Sequence, residues 1–175
     1  FEGLGTIAID HQEIKHFFGK VTMYKTYHRL ARNMILYYLD KYCKDTENLI
    51  WPKKDLIPEG IGEDIEDLKA ILTNNRKNDF QLLKKAIRNI KGVIRKITIP
   101  PMFKQYHDLT ETMRYFGTAI NKLFGEVEET AIMVNIEDIP EDKRVLYFNP
   151  YMDFLKRNRK FKYLRFLFLK IKKAA

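Results

Sequence analysis

PMFKQYHDLTETMRYFGTAINKLFG, residues 101–125, is the stretch from which we predict the fold. Its apolar side chains recur at steps of three and four residues, which is the spacing of one face of an α-helix. Pro101 suits the first turn of a helix, and Gly125 suits its end. Gly117 lies inside the pattern, where glycine costs a helix about 1 kcal/mol relative to alanine. The stretch therefore predicts a long central helix that another helix crosses closely at Gly117.

The rest of the chain shows further helical patterns. The predicted helices cover residues 4–18, 23–42, 64–72, 80–97, 141–148 and, after Pro150, a last segment from 151 or 153 to 172. Residues 45–62 carry prolines and glycines and are predicted to form a loop, and residues 130–136 an extended connector. No repeat or linker divides the chain. The sequence therefore predicts one all-α domain, a single helical bundle over residues 1–175.

The composition is that of an ordinary globular protein. The chain has 175 residues, of which 45% are hydrophobic and 31% charged, enough for one domain with a core. Cys43 is the single cysteine, which excludes an internal disulfide and a cysteine-based zinc site. No apolar run approaches the roughly 18 residues of a membrane span, so no transmembrane segment is predicted. The chain starts at Phe1, and we expect that a targeting segment was removed.

The net charge of +9 is concentrated near the C-terminus. From Lys156 onward the chain has nine basic residues and no acidic one, while the preceding residues are balanced. A second basic segment follows Asp79, with no acidic residue before Asp108. A lysine-rich helix face is usually just solvated, but two such segments favour an anionic partner. The side chains predicted to contact it are Lys84, Lys85, Arg88, Lys91, Arg95, Lys156, Arg157, Arg159, Lys160, Lys162 and Arg165.

Several partners fit these charges. Lysine and arginine would release counterions from the phosphates of DNA or RNA, with low sequence specificity because no known recognition motif is present. An acidic protein is the alternative partner, and an anionic membrane surface would also attract the apolar and basic last segment. The oligomeric state is not predicted.

No pattern of catalytic or metal-binding residues is present. Glu13 and His16 match the Glu-x-x-His of di-iron bundles, but the second copy that such sites need is missing. The sequence has no phosphate-binding glycine loop and no nucleophile elbow. We therefore predict no metal and no cofactor.

A series of short motifs resembles the heme oxygenase family. Phe17-Phe18-Gly19-Lys20-Val21-Thr22 resembles its F-x-x-G-x-V-T segment, and the loop from Trp51-Pro52 to Asp67-Leu68 resembles its proline-containing stretch. Met113-Arg114-Tyr115-Phe116-Gly117 resembles the R-Y-L-G that opens the helix over the heme. The composition is most similar to the plastid (apicoplast) members of malaria parasites. The resemblance implies a heme-oxygenase-like helical bundle in a plastid.

The same resemblance implies that the heme site has been lost. Leu4 falls in the register of the iron-ligating histidine, and Thr118 replaces an aspartate that delivers a proton to bound oxygen. Asn121 and Lys122 replace the glycine pair that lets the helix approach the porphyrin. These replacements predict a catalytically inactive heme oxygenase-like protein that binds nucleic acid or a partner. The alternatives are an active heme oxygenase that cleaves heme to biliverdin with ferredoxin, and a protein-interaction scaffold.

Overall fold

The computed structural model describes residues 2–53, 65–92 and 96–158. The described residues form seven α-helices and a three-stranded sheet, so the fold is mixed α/β and the all-α prediction is wrong. Residues 18–134 form one compact unit, and the described residues up to Phe17 and from Asn135 form another. Each unit is described by itself below. The prediction of one domain over residues 1–175 stays a prediction.

Along the chain, helices come before, between and after the strands. In order they are α1 Glu2–Asp10, β1 His16–Met23, α2 Arg29–Cys43, α3 Glu66–Ile71, α4 Arg76–Arg88, α5 Pro101–Leu109, β2 Arg114–Asn121, β3 Val127–Asn135, a 3-10 turn Ile136–Asp138, α6 Glu141–Tyr147 and α7 Asn149–Arg157.

The stretch 101–125 is a helix only in its first part. Pro101 begins α5 as predicted, but the backbone of Thr110 is extended (φ −154°, ψ 153°) and the helix ends at Leu109. Thr110, Thr112 and the aromatic residues after them favour extended backbone. The apolar positions that fit a helical stripe fit the alternation of β2 as well. The prediction of one continuous helix is therefore wrong from residue 110 onward.

The sheet has the strand order β1-β3-β2, with β2 antiparallel to β3. Tyr115 pairs with Ile132 and Thr118 with Thr130, so β2 has one more residue than β3 between these two pairs. This irregularity is a β-bulge, and Gly117 lies in it with φ +96°. Glycine is thus required at position 117 by a strand bulge and not by a helix crossing.

Strand β1 contains the residues that were assigned to the end of a helix. Phe17, Val21 and Met23 are buried, while Phe18 and Lys20 between them are exposed, which is the alternation of a half-buried strand. Gly19 lies within β1, where a Cβ atom would come 2.4 Å from the hydroxyl of Tyr106. The glycine therefore makes room for the α5 tyrosine, and the predicted helix 4–18 is correct only for its first part, α1.

The core of the unit of residues 18–134 is built around α2. Tyr38 and Leu39 of this helix are at most 1% exposed, and so are Phe80 of α4 and Ile132 of β3. The ring of Phe80 meets the ring of Phe103 on α5 edge-on at 6.0 Å. One face of the sheet and helices α2, α4 and α5 thus share one apolar core.

The second unit packs α1 against α6 and α7. A Cβ atom on Gly5 of α1 would come 2.1 Å from the carbonyl oxygen of Tyr147, so the glycine permits this close approach. The Tyr151 hydroxyl donates to Asp10 Oδ2 at 3.2 Å. The Arg144 guanidinium donates to the carbonyl oxygens of Ile136 and Ile139 at 2.7 and 2.9 Å, which fixes the turn before α6.

The remaining helix predictions differ from the structure mainly at their ends. Helices α3 and α6 agree with the predicted helices 64–72 and 141–148 within two residues. Helix α4 starts earlier than predicted, because Asn75 caps its N-terminus by accepting from the backbone N–H of Asn78 at 3.0 Å. The helix ends at Arg88, before the predicted end at residue 97. Pro150 lies in the first turn of α7 and does not break it. The predicted continuation to residue 172 lies outside the described residues.

Candidate functional site

A group of polar side chains lies between the start of α2 and strand β3, and we call it the α2–β3 polar cluster: Arg32, Asn33 and Glu128. Side chains of a strand alternate between its faces, so Glu128 shares a face of β3 with Thr130, Ile132 and Val134. Thr130, Ile132 and Val134 are almost completely buried. Glu128 therefore extends the core face of the sheet, where a carboxylate needs a partner.

Arg32 supplies that partner. Its Nη1 lies 2.5 Å from Glu128 Oε1, and its Nε and Nη2 donate to Asn33 Oδ1 at 3.1 and 3.0 Å. The side chains of Arg32 and Glu128 are 19% and 13% exposed, so the ion pair is largely screened from water but still reachable. Asn33 is completely buried beneath it.

Two polar atoms of the cluster, and one of His28 just before α2, have no hydrogen-bond partner among the described residues. They are Asn33 Nδ2, Glu128 Oε2 and His28 Nδ1, and all three are buried. A buried polar atom without a partner costs about 1–3 kcal/mol, and native proteins carry few of them. One is a donor, one is an acceptor, and the imidazole nitrogen serves as either. The cluster is therefore chemically equipped to hold a small ligand with both a donor and an acceptor.

The sheet beside the cluster is tightly packed. The hydroxyls of Thr118 and Thr130 lie 2.8 Å apart, and the Tyr115 hydroxyl reaches Thr118 at 3.2 Å across the bulge. A narrow apolar cleft between sheet and helices has room for about one water molecule. Its lining residues are Val21, Met23, Ile35, Leu39, Pro100, Phe103 and Thr130. This cleft is too small for any ligand larger than a water molecule.

A second polar group lies between α2, α4 and α5, and its imidazole and thiol side chains are uncharged at neutral pH. The imidazole of His107 stacks on Phe80 at 3.6 Å, and its Nε2 lies 2.8 Å from the Tyr38 hydroxyl. Burial, assisted by the charge of Arg76, lowers the pKa of His107 to about 4. Burial also raises the pKa of the Cys43 thiol to about 11. The imidazole is thus neutral and the thiol protonated, and neither suits acid–base or nucleophilic catalysis.

Asp79 holds together the loop before α4. Its completely buried carboxylate accepts from the backbone N–H of Thr73 at 2.8 Å, from the Thr73 hydroxyl at 2.7 Å, from the backbone N–H of Asn74 at 3.0 Å and from the Tyr42 hydroxyl. Burial raises the pKa of Asp79, but these hydrogen bonds outweigh it and lower the pKa below its ordinary value. Asp79 thus stabilises the loop before α4 from inside the helix.

The predicted partner-binding residues that the structure describes are divided between the two units. Lys85, Arg88 and Lys91 are exposed near the C-terminal end of α4, and Lys84 lies over the ring of Phe80 at 5.1 Å. Lys156 and Arg157 are exposed at the end of α7, where Lys156 also pairs with Asp153 at 3.3 Å. The other predicted contacts, Arg95, Arg159, Lys160, Lys162 and Arg165, lie outside the described residues. The binding of an anionic partner stays a prediction.

The four residues assigned to a lost heme pocket lie on different elements. Leu4 is half-buried on α1, whereas Thr118 is buried within β2. Asn121 ends β2, and Lys122 is exposed in the turn to β3. Thr118, Asn121 and Lys122 therefore do not share a helix face. Within the part of the chain that the structure describes, no group of three His, Cys, Asp or Glu side chains could hold a metal, and no helix is long and apolar enough to cross a membrane.

Comparison with known proteins identifies relatives of a different class. The chain is 40% identical over 153 residues to a glycine N(alpha)-acyltransferase of Bacteroides thetaiotaomicron, a match that covers 87% of this chain and 43% of the relative. It is also 40% identical over 152 residues to a protein of the same name from Phocaeicola vulgatus, covering 87% of this chain and 44% of the relative. The chain thus spans less than half the length of the curated relatives that it matches. No protein-family model matches the chain, and no solved structure does.

These matches overturn the heme oxygenase interpretation. Both relatives are named for acyl transfer, so the resemblance to heme oxygenase is wrong, and so is the inactive heme oxygenase-like nucleic-acid binder inferred from it. The prediction of a protein without enzyme activity is contradicted as well. The plastid location followed from that resemblance alone and nothing tests it separately.

The α2–β3 polar cluster was missed because the sequence analysis assigned Thr130–Ile136 to a connector. The signal was present in Val127–Val134, where Glu128 and Thr130 occur in step with Ile132 and Val134. A carboxylate on the apolar face of a strand is unusual and indicates a buried partner or a site. Its partner on α2 could not be read from local periodicity.

Proposed function

We propose that this chain forms part of an enzyme that transfers an acyl group to the α-amino group of glycine. The observation that carries the proposal is the 40% identity, over 87% of the chain, to two proteins named glycine N(alpha)-acyltransferase. Since the chain spans less than half of each relative, the activity is proposed for the protein that contains the chain. The described residues are proposed to form part of its site.

The reaction needs few groups. The amine nitrogen of glycine attacks the carbonyl carbon of an activated acyl donor, a new C–N bond forms, and the bond from the carbonyl carbon to the leaving group breaks. The glycine ammonium loses two protons overall, one before the attack and one as the amide forms. One is taken up by a base and the other departs with the leaving group. The protein must therefore supply a base near the amine and bind the carboxylate.

The chemistry of the described side chains supports direct transfer. A covalent acyl-enzyme would require a reactive nucleophile, but Cys43 is buried with a raised pKa. His107 is neutral, but its Nε2 is already engaged by Tyr38. The α2–β3 polar cluster instead offers a carboxylate and a guanidinium side by side, which fits an acceptor that carries both charges.

A chimera tests the proposal. This chain replaces its matching region in the Bacteroides thetaiotaomicron relative, and the chimera is produced in a bacterial host fed ¹⁵N-glycine. Mass spectrometry of the extracted lipids should show N-acylglycines shifted by one mass unit per molecule, as with the parent relative. The host carrying the empty vector is the control. A soluble, folded chimera that forms no N-acylglycine, beside an active parent, would refute the proposed function.

A further inference from the structure

We propose that the α2–β3 polar cluster binds the amino acid that accepts the acyl group, with Arg32 holding its carboxylate and Glu128 taking a proton from its amine. This inference rests on the proposed function and assigns the acceptor site within it. It follows from the charges, the free hydrogen-bonding positions and the burial of the cluster.

The Arg32 guanidinium has donors to spare. A guanidinium carries five N–H groups, and the contacts to Glu128 and Asn33 occupy three of them. One N–H on Nη1 and one on Nη2 remain. N–H groups on these two neighbouring nitrogens can bind the oxygens of a carboxylate. Asn33 accepts from the other edge of the guanidinium and fixes its orientation.

The Glu128 carboxylate has one oxygen to spare. Its Oε1 contacts Arg32, while its Oε2 is buried and has no partner among the described residues. An ammonium group beside Oε2 would satisfy this atom with a charge-assisted hydrogen bond. Transfer of one proton from that ammonium to Oε2 leaves the neutral amine, whose nitrogen lone pair then attacks the acyl carbonyl. Glu128 releases the proton to solvent after the product leaves.

The buried amide of Asn33 adds a second polar position. Asn33 Nδ2 has no partner in the described part of the chain, although the residue is completely buried. It belongs to the amide that accepts from Arg32 Nε and Nη2 at 3.1 and 3.0 Å, so it lies close to the guanidinium. A donor there would assist Arg32 in holding a carboxylate. The side chains of Arg32 and Glu128 are 19% and 13% exposed, so both charged groups are partly accessible from solvent.

A purely structural ion pair is the competing interpretation, and it accounts for less. It explains the contact between Arg32 and Glu128 but leaves Glu128 Oε2 and Asn33 Nδ2 unsatisfied. Exchange of the two charges keeps an ion pair but reverses the ends that would hold a carboxylate and an amine, so it separates the two interpretations.

The test uses the chimera with four variants. Arg32→Lys keeps the charge but loses the planar fork, and Glu128→Gln keeps the shape but removes the base. The exchange Arg32→Glu with Glu128→Arg restores an ion pair in reverse. The matched control is Glu129→Gln, which alters the next carboxylate of β3, paired with Lys20 at 2.8 Å on the other face. Initial rates are measured in host lysate, which supplies the acyl donors, as the ¹⁵N-glycine concentration varies.

We expect Arg32→Lys to raise the apparent KM for glycine about 10- to 100-fold. Glu128→Gln should lower the maximal rate about 100-fold. The exchanged pair should fold, with a circular dichroism spectrum like that of the parent chimera, yet lose activity, while Glu129→Gln stays within about threefold. An active chimera in which Arg32→Lys and Glu128→Gln match Glu129→Gln, or in which the exchanged pair stays active, would overturn the inference and leave the proposed function intact.

Direct binding separates the inference from the reaction. Glycine is titrated into this chain, and the NMR signals of the Arg32 side chain and the Asn33 amide are followed, with methylamine and acetate as probes that lack one charge. Glycine should shift both signals at lower concentration than either probe. If the chimera proves inactive and glycine shifts neither signal, both proposals fail. Shifts in the absence of activity would support an amino-acid site and refute only the acyl transfer.

Discussion

Glu128 on β3 and Arg32 on α2 are 96 positions apart in the sequence, and their side chains meet at 2.5 Å on the core side of the sheet. The contact ties the first turns of α2 to the start of β3. It leaves one carboxylate oxygen buried without a partner in the described residues. The unpartnered Glu128 Oε2 lowers the stability of the folded protein, and a ligand that donates a hydrogen bond to this atom would offset the loss.

Removing both members of the pair should destabilise the protein by less than the sum of the two single removals. Arg32→Ala leaves the largely buried Glu128 carboxylate unpaired, and we expect a loss of about 2–4 kcal/mol in the free energy of unfolding. The double change Arg32→Ala with Glu128→Ala should cost less than the sum of the single changes. Urea denaturation measures all three. The more exposed pair Lys20–Glu129 serves as the control, for which we expect about 1 kcal/mol or less. Additive losses at Arg32 and Glu128 would contradict the coupling.

Gly19→Ala should clash with Tyr106. The new Cβ atom would lie 2.4 Å from the tyrosine hydroxyl, which forces β1 or α5 to shift, and we expect a loss of about 1–3 kcal/mol. Tyr106→Phe removes the clashing oxygen, so Gly19→Ala should cost less in that background. Thermal unfolding of the two single variants and the double variant measures the difference. A Gly19→Ala loss that is the same in both backgrounds would show that the close approach is absent.

Gly117→Ala should destabilise the sheet through its backbone. Residue 117 has φ +96° in the bulge of β2, a region that side chains with a Cβ atom adopt at a cost of about 1–2 kcal/mol. Gly3→Ala is the control, because its added Cβ meets nothing within 4 Å on α1 and should be neutral or slightly stabilising. Equal effects of the two substitutions on the unfolding free energy would argue against the bulge.

His107 should make the protein less stable in mild acid. Its folded pKa of about 4 lies below the ordinary 6.5, so between these values the unfolded chain binds a proton that the folded chain does not. The free energy of unfolding should therefore fall by up to about 3 kcal/mol as the pH decreases from 6.5 to 4, and this contribution should level off below pH 4. His107→Gln should flatten the profile over this interval. Identical pH profiles for the two proteins would contradict a buried neutral imidazole.

The basic residues should respond to salt if they bind an anion. We propose that Lys85, Arg88 and Lys91 on one unit, and Lys156 and Arg157 on the other, contact an anionic partner such as a nucleic acid or an acidic protein. Binding to a fluorescent DNA duplex should weaken steeply between 50 and 200 mM salt, by roughly an order of magnitude or more. Exchanging Lys85, Arg88 and Lys91 for glutamine should reduce the slope. Affinity that is independent of salt, or absent at low salt, would count against a nucleic-acid partner.

The sequence predicted helices better than strands for a physical reason. Helices α3 and α6 are short and carry acidic residues in their first turns, which is a local signal. Strand β2 was read as helix because Met113, Phe116 and Ile120 fit a helical stripe, while the bulge at Gly117 breaks the strict alternation that identifies a strand. The motifs that resembled heme oxygenase, around Gly19 and Gly117, lie in β1 and β2 and owe their glycines to Tyr106 and to the bulge.

The candidate site was less accessible to sequence analysis than the fold. The contact between Arg32 and Glu128 joins residues whose separation no periodic pattern covers. Glu128 lies between the predicted helix 101–125 and the predicted connector 130–136, in an interval to which no element was assigned. By contrast, the two basic segments are evident from the sequence alone, and their binding of an anionic partner stays a prediction.

Incorporation of ¹⁵N-glycine by the chimera tests the central claim most directly. We predict that lipid extracts from cells producing it contain ¹⁵N-labelled N-acylglycines, and that Glu128→Gln reduces their amount about 100-fold while Glu129→Gln does not. Extracts without any labelled N-acylglycine, from cells in which the folded chimera is present and the parent relative is active, would contradict the account.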